Sequence, residues 1–518
     1  MLLGWCRECN VPLADGFCYE CGRVGKPLSL KTERLLPIFK DTQKWVNDLV
    51  EQKHNVRPLP ERDVVFINEL RFSNRNFIVI EDAKEILQVD FSGENNRWGV
   101  KVLCENPIFE DKIMGSKPRT VVKANSDRVD RLEKLGSSLI KECSSKFGMP
   151  LYVSFSGGKD SMIIFDLALK AVDPPLLFVN TQLEFPETVE FTRAVAGKYG
   201  VELCELLPRK DFFEMWEKCG PPARSHRWCC KTNKFAPLNL FLSKNHPKGI
   251  VRIVGTRRWE SVMRMRQKVI DRNKWVPHSV VVHPIFEWTD VDVWSYMWKE
   301  KLPANPLYEQ GLVRIGCYPC PYAEMSRFEI LGKLHPELLD NLYSHLTAWG
   351  KKHGYNEEWV KSGRWRFRKV DEKVRMKGLV PCTSEGDSRV YTIKDPQSFI
   401  SVLKTLQQPL DMTKVFVGGK KMWLIKSKHF SITIMGERVI VRGNFNNYVV
   451  NRICRLIERV HFCIGCGTCT GFCPNGNIRL SQDKLRIKES CLNCGKCAEM
   501  LFGETCVFAE YAGGCMNA

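Results

Sequence analysis

The chain has 518 residues, 44% of them hydrophobic, which is enough for several domains because single cores rarely grow past about 250 residues. No apolar run approaches the roughly 18 residues of a membrane helix, and the first residues do not form a signal peptide, so we expect a cytoplasmic protein without a membrane partner. The net charge of +19 favours an anionic partner, although thiolate metal sites would lower it. The 23 cysteines of an unexported chain point to metal ligation rather than to disulfides.

Two CxxC pairs lie close together at the start of the chain. Cys6 and Cys9 are followed, after eight residues, by Cys18 and Cys21. This spacing places four thiolates around one metal ion, as in zinc ribbons and rubredoxins. Zn²⁺ is favoured over iron because no redox motif accompanies the pairs, and its role is structural since so short a segment cannot build a core alone. We therefore predict a zinc ribbon over residues 1–26.

A small β-rich module is predicted over residues 30–122. Apolar residues alternate in "DVVFINEL", "NFIVIEDA" and "WGVKVLCEN", and short turns separate these runs. The module resembles the PUA kind, which binds RNA, but the same alternation fits many β domains. The following segment, 124–148, predicts an amphipathic helix whose apolar face carries Val129, Leu132, Leu135 and Leu139.

A glycine-rich loop connects an apolar strand to an apolar helix in "LYVSFSGGKDSMIIF", which runs from Leu151 to Phe165. This arrangement directs main-chain N–H groups and a helix dipole at an anion. It is not a Walker loop, because the G-x4-G-K-[ST] pattern is missing. The SGGKDS sequence resembles the pyrophosphate loop (PP-loop) of adenine-nucleotide alpha-hydrolases, the superfamily of ATP pyrophosphatases and phosphoadenylyl-sulfate (PAPS) reductases.

Three later segments continue this pattern. "LLFVNTQLEFPET" is a second buried strand with Thr181 and Glu187 at its carboxyl end, and "IVRIVGTRRWESVMR" is a third strand followed by a cationic run suited to phosphate or sulfate. "VVVHPIFEWTDVDVWSYM" adds a strand and a helix capped at Thr289. In this order the segments resemble the PAPS reductase family.

The resemblance implies an α/β fold with a doubly wound parallel sheet over residues 123–345 and a ligand at the carboxyl ends of its strands. The ligand would be an adenine nucleotide: adenylyl sulfate (APS), PAPS or ATP. The residues implied to bind it are Ser156, Gly157, Gly158, Lys159, Asp160, Ser161, Thr181, Glu187 and Gly255. The residues implied in catalysis are Lys159, Asp160, Arg257, Arg258 and Arg264.

A second cysteine group lies within this predicted domain. Cys229 and Cys230 are adjacent, and Cys317 and Cys320 form a distant CxxC pair. Free cysteines are often small core residues, but the basic residues around the first pair would favour thiolates. The group resembles the four-iron cluster site of assimilatory adenylyl-sulfate reductases, which implies a 4Fe-4S cluster on these four residues. Zinc and purely structural cysteines remain the alternatives.

Two segments separate this domain from the last cysteines. Residues 346–389 include the basic run "KSGRWRFRKVDEKVRMKG", predicted as a solvated linker with an RNA contact as second choice. Residues 390–460 carry a hairpin pattern, "KHFSITIMGERVIVRGNF", and then a helical one, "NNYVVNRICRLIERV". We predict a small α/β module there.

The third cysteine group contains two runs with ferredoxin spacing. The first is Cys463-x2-Cys466-x2-Cys469-x3-Cys473-Pro, and the second opens with Cys491-x2-Cys494-x2-Cys497. The runs resemble a bacterial two-cluster 4Fe-4S ferredoxin domain, of α+β fold, over residues 461–512.

In that family each run lends its fourth cysteine to the other cluster. Cys473 would therefore bind the same cluster as the three cysteines of the second run. The other three cysteines of the first run, Cys463, Cys466 and Cys469, would need a fourth ligand from the second run. The expected position is Leu501, so Cys506 is the nearest substitute. A three-iron or absent first cluster is the alternative.

Two enzymatic hypotheses follow. In the first, the chain is a PAPS reductase-like enzyme that reduces or transfers sulfur with electrons relayed by the clusters from an external donor such as a ferredoxin. The family's Glu-Cys-Gly-x-His type motif is missing, and Cys382 and Cys515 have no assigned role, so electron delivery from a cluster would replace thiol chemistry. In the second, the loop binds Mg²⁺ and ATP, with Asp160 near the metal. The enzyme would use this ATP to adenylate a tRNA base, which would then be thiolated. A non-catalytic redox-sensing scaffold ranks last because it leaves the loop unused.

Overall fold

The computed structural model describes residues 4–6, 8–9, 11–27, 118–310, 312, 314–323, 325–368, 382–406, 410–417, 420–445 and 447–497, and the backbone of five strands between 35 and 102. The chain divides into two units, which we treat separately. The first comprises Met1–Glu205, Val251–Asp271 and Val280–Arg366, and the second comprises Leu206–Ile250, Arg272–Ser279 and Phe367–Ala518. Among the described residues, no helix combines the length and the apolar character that crossing a membrane requires.

The helices are α1 Pro118–Ala124, α2 Ser126–Phe147, α3 Lys159–Leu169, α4 Pro186–Tyr199, α5 Phe212–Cys219, α6 Ala236–Asn245, α7 Val262–Met265, α8 Asp290–Lys299, α9 Met325–Leu334, α10 Pro336–Lys352, α11 Glu357–Lys361, α12 Pro396–Leu403 and α13 Tyr448–His461. The strands are β1 Gly4–Cys6, β2 Val11–Leu13, β3 Lys26–Pro27, β4 Leu35–Pro37, β5 Phe66–Leu70, β6 Arg75–Ile80, β7 Lys84–Asp90, β8 Gly99–Val102, β9 Leu151–Ser154, β10 Leu176–Val179, β11 Leu203–Leu206, β12 Ile250–Ile253, β13 Ile270–Arg272, β14 Ser279–Val282, β15 Cys382–Glu385, β16 Ser388–Thr392, β17 Asp411–Val417, β18 Lys420–Lys426, β19 Phe430–Met435, β20 Arg438–Gly443, β21 Ile478–Ser481 and β22 Lys484–Ile487.

Two antiparallel sheets precede the central domain of the first unit. β2, β1 and β3 form a three-stranded sheet in that order, and β4 to β8 form a five-stranded sheet in which each strand pairs with the next. The predicted β-rich module is therefore confirmed, while its PUA-like character stays a prediction. Its end differs from the predicted residue 122, since the chain is already helical from Pro118 in α1.

A six-stranded sheet forms the centre of the first unit, in the order β11-β10-β9-β12-β14-β13. β9 is parallel to both β10 and β12, which confirms the predicted α/β fold with its parallel sheet. β12 and β14, "IVRI" and "SVVV", are buried along their whole length, as expected for strands covered on both faces. The strand order reverses at the β9–β12 pair, and the carboxyl ends of the strands at such a reversal are where open α/β sheets bind ligands.

The helices of the first unit bury apolar faces against this sheet. α3 contributes Met162, Ile163, Ile164 and Phe165 to a core that also contains Trp294 of α8. The predicted amphipathic helix is α2, but its buried face differs in part from the prediction. Val129, Gly136, Ile140 and Cys143 are buried, whereas Leu135 is exposed. Leu132 and Leu139 are partly buried against the same core, so Leu135 is the one predicted residue that lies off the buried face.

The second unit contains a six-stranded antiparallel sheet in the order β15-β16-β20-β19-β18-β17. α12 and α13 pack on it, and their core is continuous with residues of the ferredoxin-like segment, including Phe472, Ile478 and Leu485. The modules predicted at 390–460 and 461–512 thus share one hydrophobic core. The predicted linker 346–389 is shorter than expected, because α10 extends to Lys352, α11 follows, and β15 begins at Cys382.

Candidate functional site

The SGGKDS loop leaves β9 and turns directly into α3. Gly157 has φ of +71°, a conformation that favours glycine, and a Cβ there would approach Thr188 Cγ2 to 2.8 Å. The Asn305 amide donates hydrogen bonds to Gly157 O at 3.1 Å and to Thr188 Oγ1 at 3.2 Å. The loop is therefore held from two sides by residues distant in sequence.

Side chains also order the start of α3. The Ser161 hydroxyl donates to Gly158 O at 2.7 Å and accepts from Gly158 N at 3.1 Å, and the Lys159 N–H donates to the Tyr308 hydroxyl at 2.9 Å. Within the described residues, the N–H groups of Gly157 and Asp160 form no hydrogen bond. Two unused donors at a helix start, reinforced by the helix dipole, suit an anionic ligand.

Two cations and two carboxylates form a buried network beside the loop. Arg257 donates from Nε to Asp160 Oδ1 and from Nη2 to Asp290 Oδ1, both at 2.7 Å. Lys159 Nζ lies 3.4 Å from Asp160 Oδ2 and 3.8 Å from Asp290 Oδ1. Burial alone would raise the pKa of Asp160, but the charges of Arg257 and Lys159 outweigh it and hold that pKa well below its usual range. Both Asp160 oxygens are thus engaged, and the network of four has no net charge.

The other predicted cations lie at the same end of the sheet, after β12. Arg258 pairs with Glu287 at 2.6 Å, and Arg264 pairs with Glu260. Gly255 passes so close to α3 that a Cβ would lie 2.8 Å from Asp160 O. The structure therefore brings Gly255, Arg257 and the loop together, as expected, while pairing the three arginines with carboxylates.

The loop after β10 brings a predicted cluster thiol to the nucleotide side of the sheet. Thr181 Oγ1 donates to Glu184 at 2.9 Å and lies 3.4 Å from Cys317 Sγ, which is itself 3.9 Å from Glu184 Oε1. Burial raises the pKa of Glu184. Glu187 instead accepts a hydrogen bond from His335 Nε2 at 2.8 Å. The sequence analysis did not name Glu184 as a site residue. Its position, three residues after Thr181 in the turn that follows a buried strand, could have identified it.

The four cysteines predicted to hold the middle cluster are divided between the units. Cys317 and Cys320 belong to the first unit, where the Cys320 N–H donates to Cys317 O at 3.3 Å. Cys229 and Cys230 belong to the second unit, at the start of a π-helical turn, Cys230–Phe235. All four are partly buried. The cluster that they would share stays a prediction.

The N-terminal cysteines have the geometry of a zinc ribbon. All four Sγ atoms lie within 4.8 Å of one another; the Cys6–Cys21 and Cys9–Cys18 pairs are 3.5 and 3.8 Å apart. A tetrahedral Zn²⁺ with sulfur at about 2.3 Å requires sulfur separations of about 3.8 Å. The donor set therefore fits Zn²⁺.

The predicted second ferredoxin cluster has its thiols around one recess. Cys473, Cys491, Cys494 and Cys497 line a recess of about 370 Å³ that is partly open to solvent. The Asn477 N–H donates to Cys473 Sγ at 3.1 Å, a contact typical of cluster ligands. Burial and the neighbouring thiols raise the pKa of Cys497 to about 11, so a bound cationic core would favour its thiolate. Four thiols at one recess are the donor set that a four-iron cluster requires, and the cluster that they would hold stays a prediction.

The first ferredoxin run is more deeply placed. Cys463 and Cys469 pack against the hydrophobic core of the second unit, and burial raises the pKa of both thiols. Cys466 lies 3.4 Å from Thr468 Oγ1. Cys506, the proposed fourth ligand, and Leu501 lie outside the described residues, so the ligand set of this cluster stays a prediction.

Comparison with known proteins gives a consistent match to the central domain. A family profile described as the phosphoadenosine phosphosulfate reductase domain matches residues 150–323. Adenosine 5'-phosphosulfate reductase of Bacillus pumilus is 31% identical over 37% of this chain and 82% of the enzyme. Subunit 2 of sulfate adenylyltransferase of Xanthomonas axonopodis is 29% identical over 35% of this chain and 67% of that protein. An uncharacterised protein of Methanocaldococcus jannaschii is 26% identical over 71% of this chain and 96% of that protein.

Proposed function

Because the chain belongs to the phosphoadenosine phosphosulfate reductase family, we propose that it is an iron-sulfur enzyme that binds a sulfonucleotide at the SGGKDS loop. It reduces that nucleotide or transfers its sulfur with electrons relayed by 4Fe-4S clusters from an external donor. The observation that carries the proposal is the contact of Cys317, a predicted cluster ligand, with Thr181 and Glu184 at the carboxyl end of β10. A predicted cluster ligand therefore lies next to the carboxyl end of a strand, the edge of the sheet at which the nucleotide would bind.

The residues of the loop would bind and orient the nucleotide. Its anionic groups would accept hydrogen bonds from the N–H groups of Gly157 and Asp160 at the start of α3. Arg258 and Arg264 would supply positive charge at the same sheet edge. Lys159 and Arg257 would act mainly by holding Asp160 and Asp290, which fixes the loop in its anion-binding shape.

The cysteine groups would hold the metals. The N-terminal four would hold a structural Zn²⁺, and the second-run cysteines with Cys473 would hold one four-iron cluster. When bound, four-iron clusters supply single electrons at low potential. The family's C-terminal Glu-Cys-Gly-x-His type motif is missing from this sequence, so sulfite release with an artificial reductant is the decisive assay.

The test is anaerobic calorimetry of the iron-reconstituted chain against APS, PAPS and ATP, followed by sulfite measurement with dithionite as reductant. Lys159→Met keeps the side-chain volume and removes the charge, while Lys141→Ala alters an exposed lysine of α2 as a control. We expect sulfonucleotide binding that Lys159→Met weakens and Lys141→Ala preserves, together with sulfite release. Binding of Mg²⁺-ATP alone would refute the proposal.

A second candidate is an ATP-dependent thiolation of tRNA. The match to sulfate adenylyltransferase, a relative named for adenylyl transfer, supports only its adenylating step, and the β4–β8 sheet would be the RNA-binding module. The same calorimetry separates the two candidates, because this one requires ATP binding and, in a second titration, tRNA binding.

A further inference from the structure

The two ferredoxin runs of the second unit differ in their exposure. Cys494 is exposed, and Cys491 and Cys497 are only partly buried. The first run instead lies against α6, where the Asn239 amide donates to Thr468 O at 3.0 Å and Thr468 Oγ1 donates to Lys231 O at 3.0 Å. The second run therefore presents Cys494 to solvent, whereas the first run is contacted by the segment that follows Cys229 and Cys230.

An exposed apolar side chain lies within the second run. Leu492, between Cys491 and Cys494, is 72% exposed and lines the recess that the four thiols share. A single exposed leucine is ordinary on a protein surface. This one is held on a tight loop, with Asn493 at φ of +50°, directly beside two predicted cluster ligands.

Two exposed lysines lie close to this leucine in the sequence. Lys488 and Lys496 are exposed on either side of it, and Glu489 is the only acidic residue between 488 and 497. The nearest other carboxylate along the chain, that of Asp483, is already paired with Arg209 and Lys210 at 2.8 and 2.7 Å. The chain as a whole carries a formal +19, which four filled four-thiolate metal sites would lower to about +11, and the remaining positive charge would steer a negatively charged partner toward it.

We propose that Lys488, Leu492 and Lys496 form a docking surface for an acidic one-electron carrier protein, so that electrons enter the chain at the second ferredoxin run. This inference rests on the proposed electron relay and specifies its entry point. In the transfer, the reduced carrier loses one electron and the oxidised cluster held by Cys473, Cys491, Cys494 and Cys497 gains it. No bond or proton changes place. The apolar Leu492 would exclude water at the contact, and the lysines would set the rate of encounter.

The experiment measures cluster reduction in the reconstituted full chain by stopped flow, with a reduced, acidic plant-type [2Fe–2S] ferredoxin as donor and dithionite as a small donor. The test variants are Lys488→Glu/Lys496→Glu and Leu492→Ser. The control, Lys426→Glu/Lys428→Glu, makes the same charge change at two exposed positions, the last residue of β18 and the second residue after it. Calorimetric affinity for the oxidised ferredoxin supplies a readout independent of electron transfer.

We expect the double charge reversal at Lys488 and Lys496 to slow reduction by the ferredoxin about tenfold at low salt and to weaken its binding to a similar degree. The effect should shrink at high salt, because screening removes the steering. Leu492→Ser should weaken binding at both salt concentrations. The control should stay within about twofold of the parent, and dithionite should reduce all forms equally.

Equal slowing in the control, or unchanged rates and affinities in the test variants, would overturn the docking surface. The measurement contains no sulfonucleotide, so its outcome is separate from that of the proposed function. Sulfite release with dithionite but no effect at Lys488 and Lys496 would overturn only the docking surface. Docking without any sulfonucleotide turnover would overturn only the reductase.

Discussion

Replacing Arg257 by methionine is the sharpest test of how the loop is held. Arg257 is 2% exposed and makes two charge-assisted hydrogen bonds of 2.7 Å, to Asp160 and Asp290. Such bonds contribute about 1.5–3 kcal/mol each, and removing one partner from a buried ion pair costs about 3–5 kcal/mol. We therefore expect Arg257→Met to lower the local unfolding free energy around α3 by about 3–5 kcal/mol, the figure for broken buried pairs.

Hydrogen exchange of peptides covering β9 and α3 measures this quantity directly. At about 1.4 kcal/mol per tenfold change, exchange should accelerate by roughly two to three and a half orders of magnitude. Arg258→Met is the matched control, because the side chains of the Arg258–Glu287 pair are 34% and 50% exposed and pairs in contact with solvent contribute about 0–1 kcal/mol. Adding Asp160→Asn to Arg257→Met should restore part of the protection by removing an unpaired carboxylate. Equal exchange in the two arginine variants would refute the proposed role of the network.

Three further predictions concern other sites. Gly255→Ala should weaken nucleotide binding roughly tenfold or more in calorimetry, because its Cβ would meet the Asp160 backbone, whereas Gly197→Ala, with no atom within 4 Å, should leave binding unchanged. Cys18→Ser should remove zinc from the protein in elemental analysis, while Cys204→Ser, outside the ribbon, should retain it; zinc retained by Cys18→Ser would contradict the site. Burial raises the pKa of the Glu458 carboxyl from 4.5 to about 7. Protonated Glu458 therefore contributes stability that is fully present below the pKa of the unfolded chain and is lost as the pH rises through about 7. Hydrogen exchange of α13, corrected for intrinsic rates, should show lower stability at pH 8 than at pH 5, by at most about 3 kcal/mol, and Glu458→Gln should abolish that difference.

The loop and the grouping of the four N-terminal cysteines were predictable because their chemistry is local in sequence. A glycine pair between an apolar strand and a helix specifies its own turn, and CxxC spacing specifies thiolate knuckles. The ribbon geometry of Cys6, Cys9, Cys18 and Cys21 follows from that spacing.

The features that the sequence did not predict depend on contacts between residues far apart in the chain. Tyr308, Asn305 and Asp290 hold the loop from more than a hundred residues away, and no local pattern identifies such partners. The shared core of the modules predicted at 390–460 and 461–512 is of the same kind, because Phe472 and Leu485 become core residues only when α12 and α13 cover them. Periodicity gave the correct repeat for α2 and most of its buried face, but it could not show that Leu135 is exposed, because that is decided by what the helix packs against.

The charge network also bears on which nucleotide the loop receives. A Mg²⁺ ion bound with ATP needs carboxylate oxygens that are free to coordinate it. In this structure Asp160 Oδ1 accepts from Arg257 and Oδ2 lies beside Lys159, so Mg²⁺ would share these oxygens with two cations inside a buried site. The phosphates of ATP and the sulfate and phosphate groups of a sulfonucleotide would both match the unused N–H groups at the start of α3, but a sulfonucleotide needs no metal at Asp160. On this ground we propose a sulfonucleotide as the ligand, which the calorimetry with APS, PAPS and Mg²⁺-ATP tests.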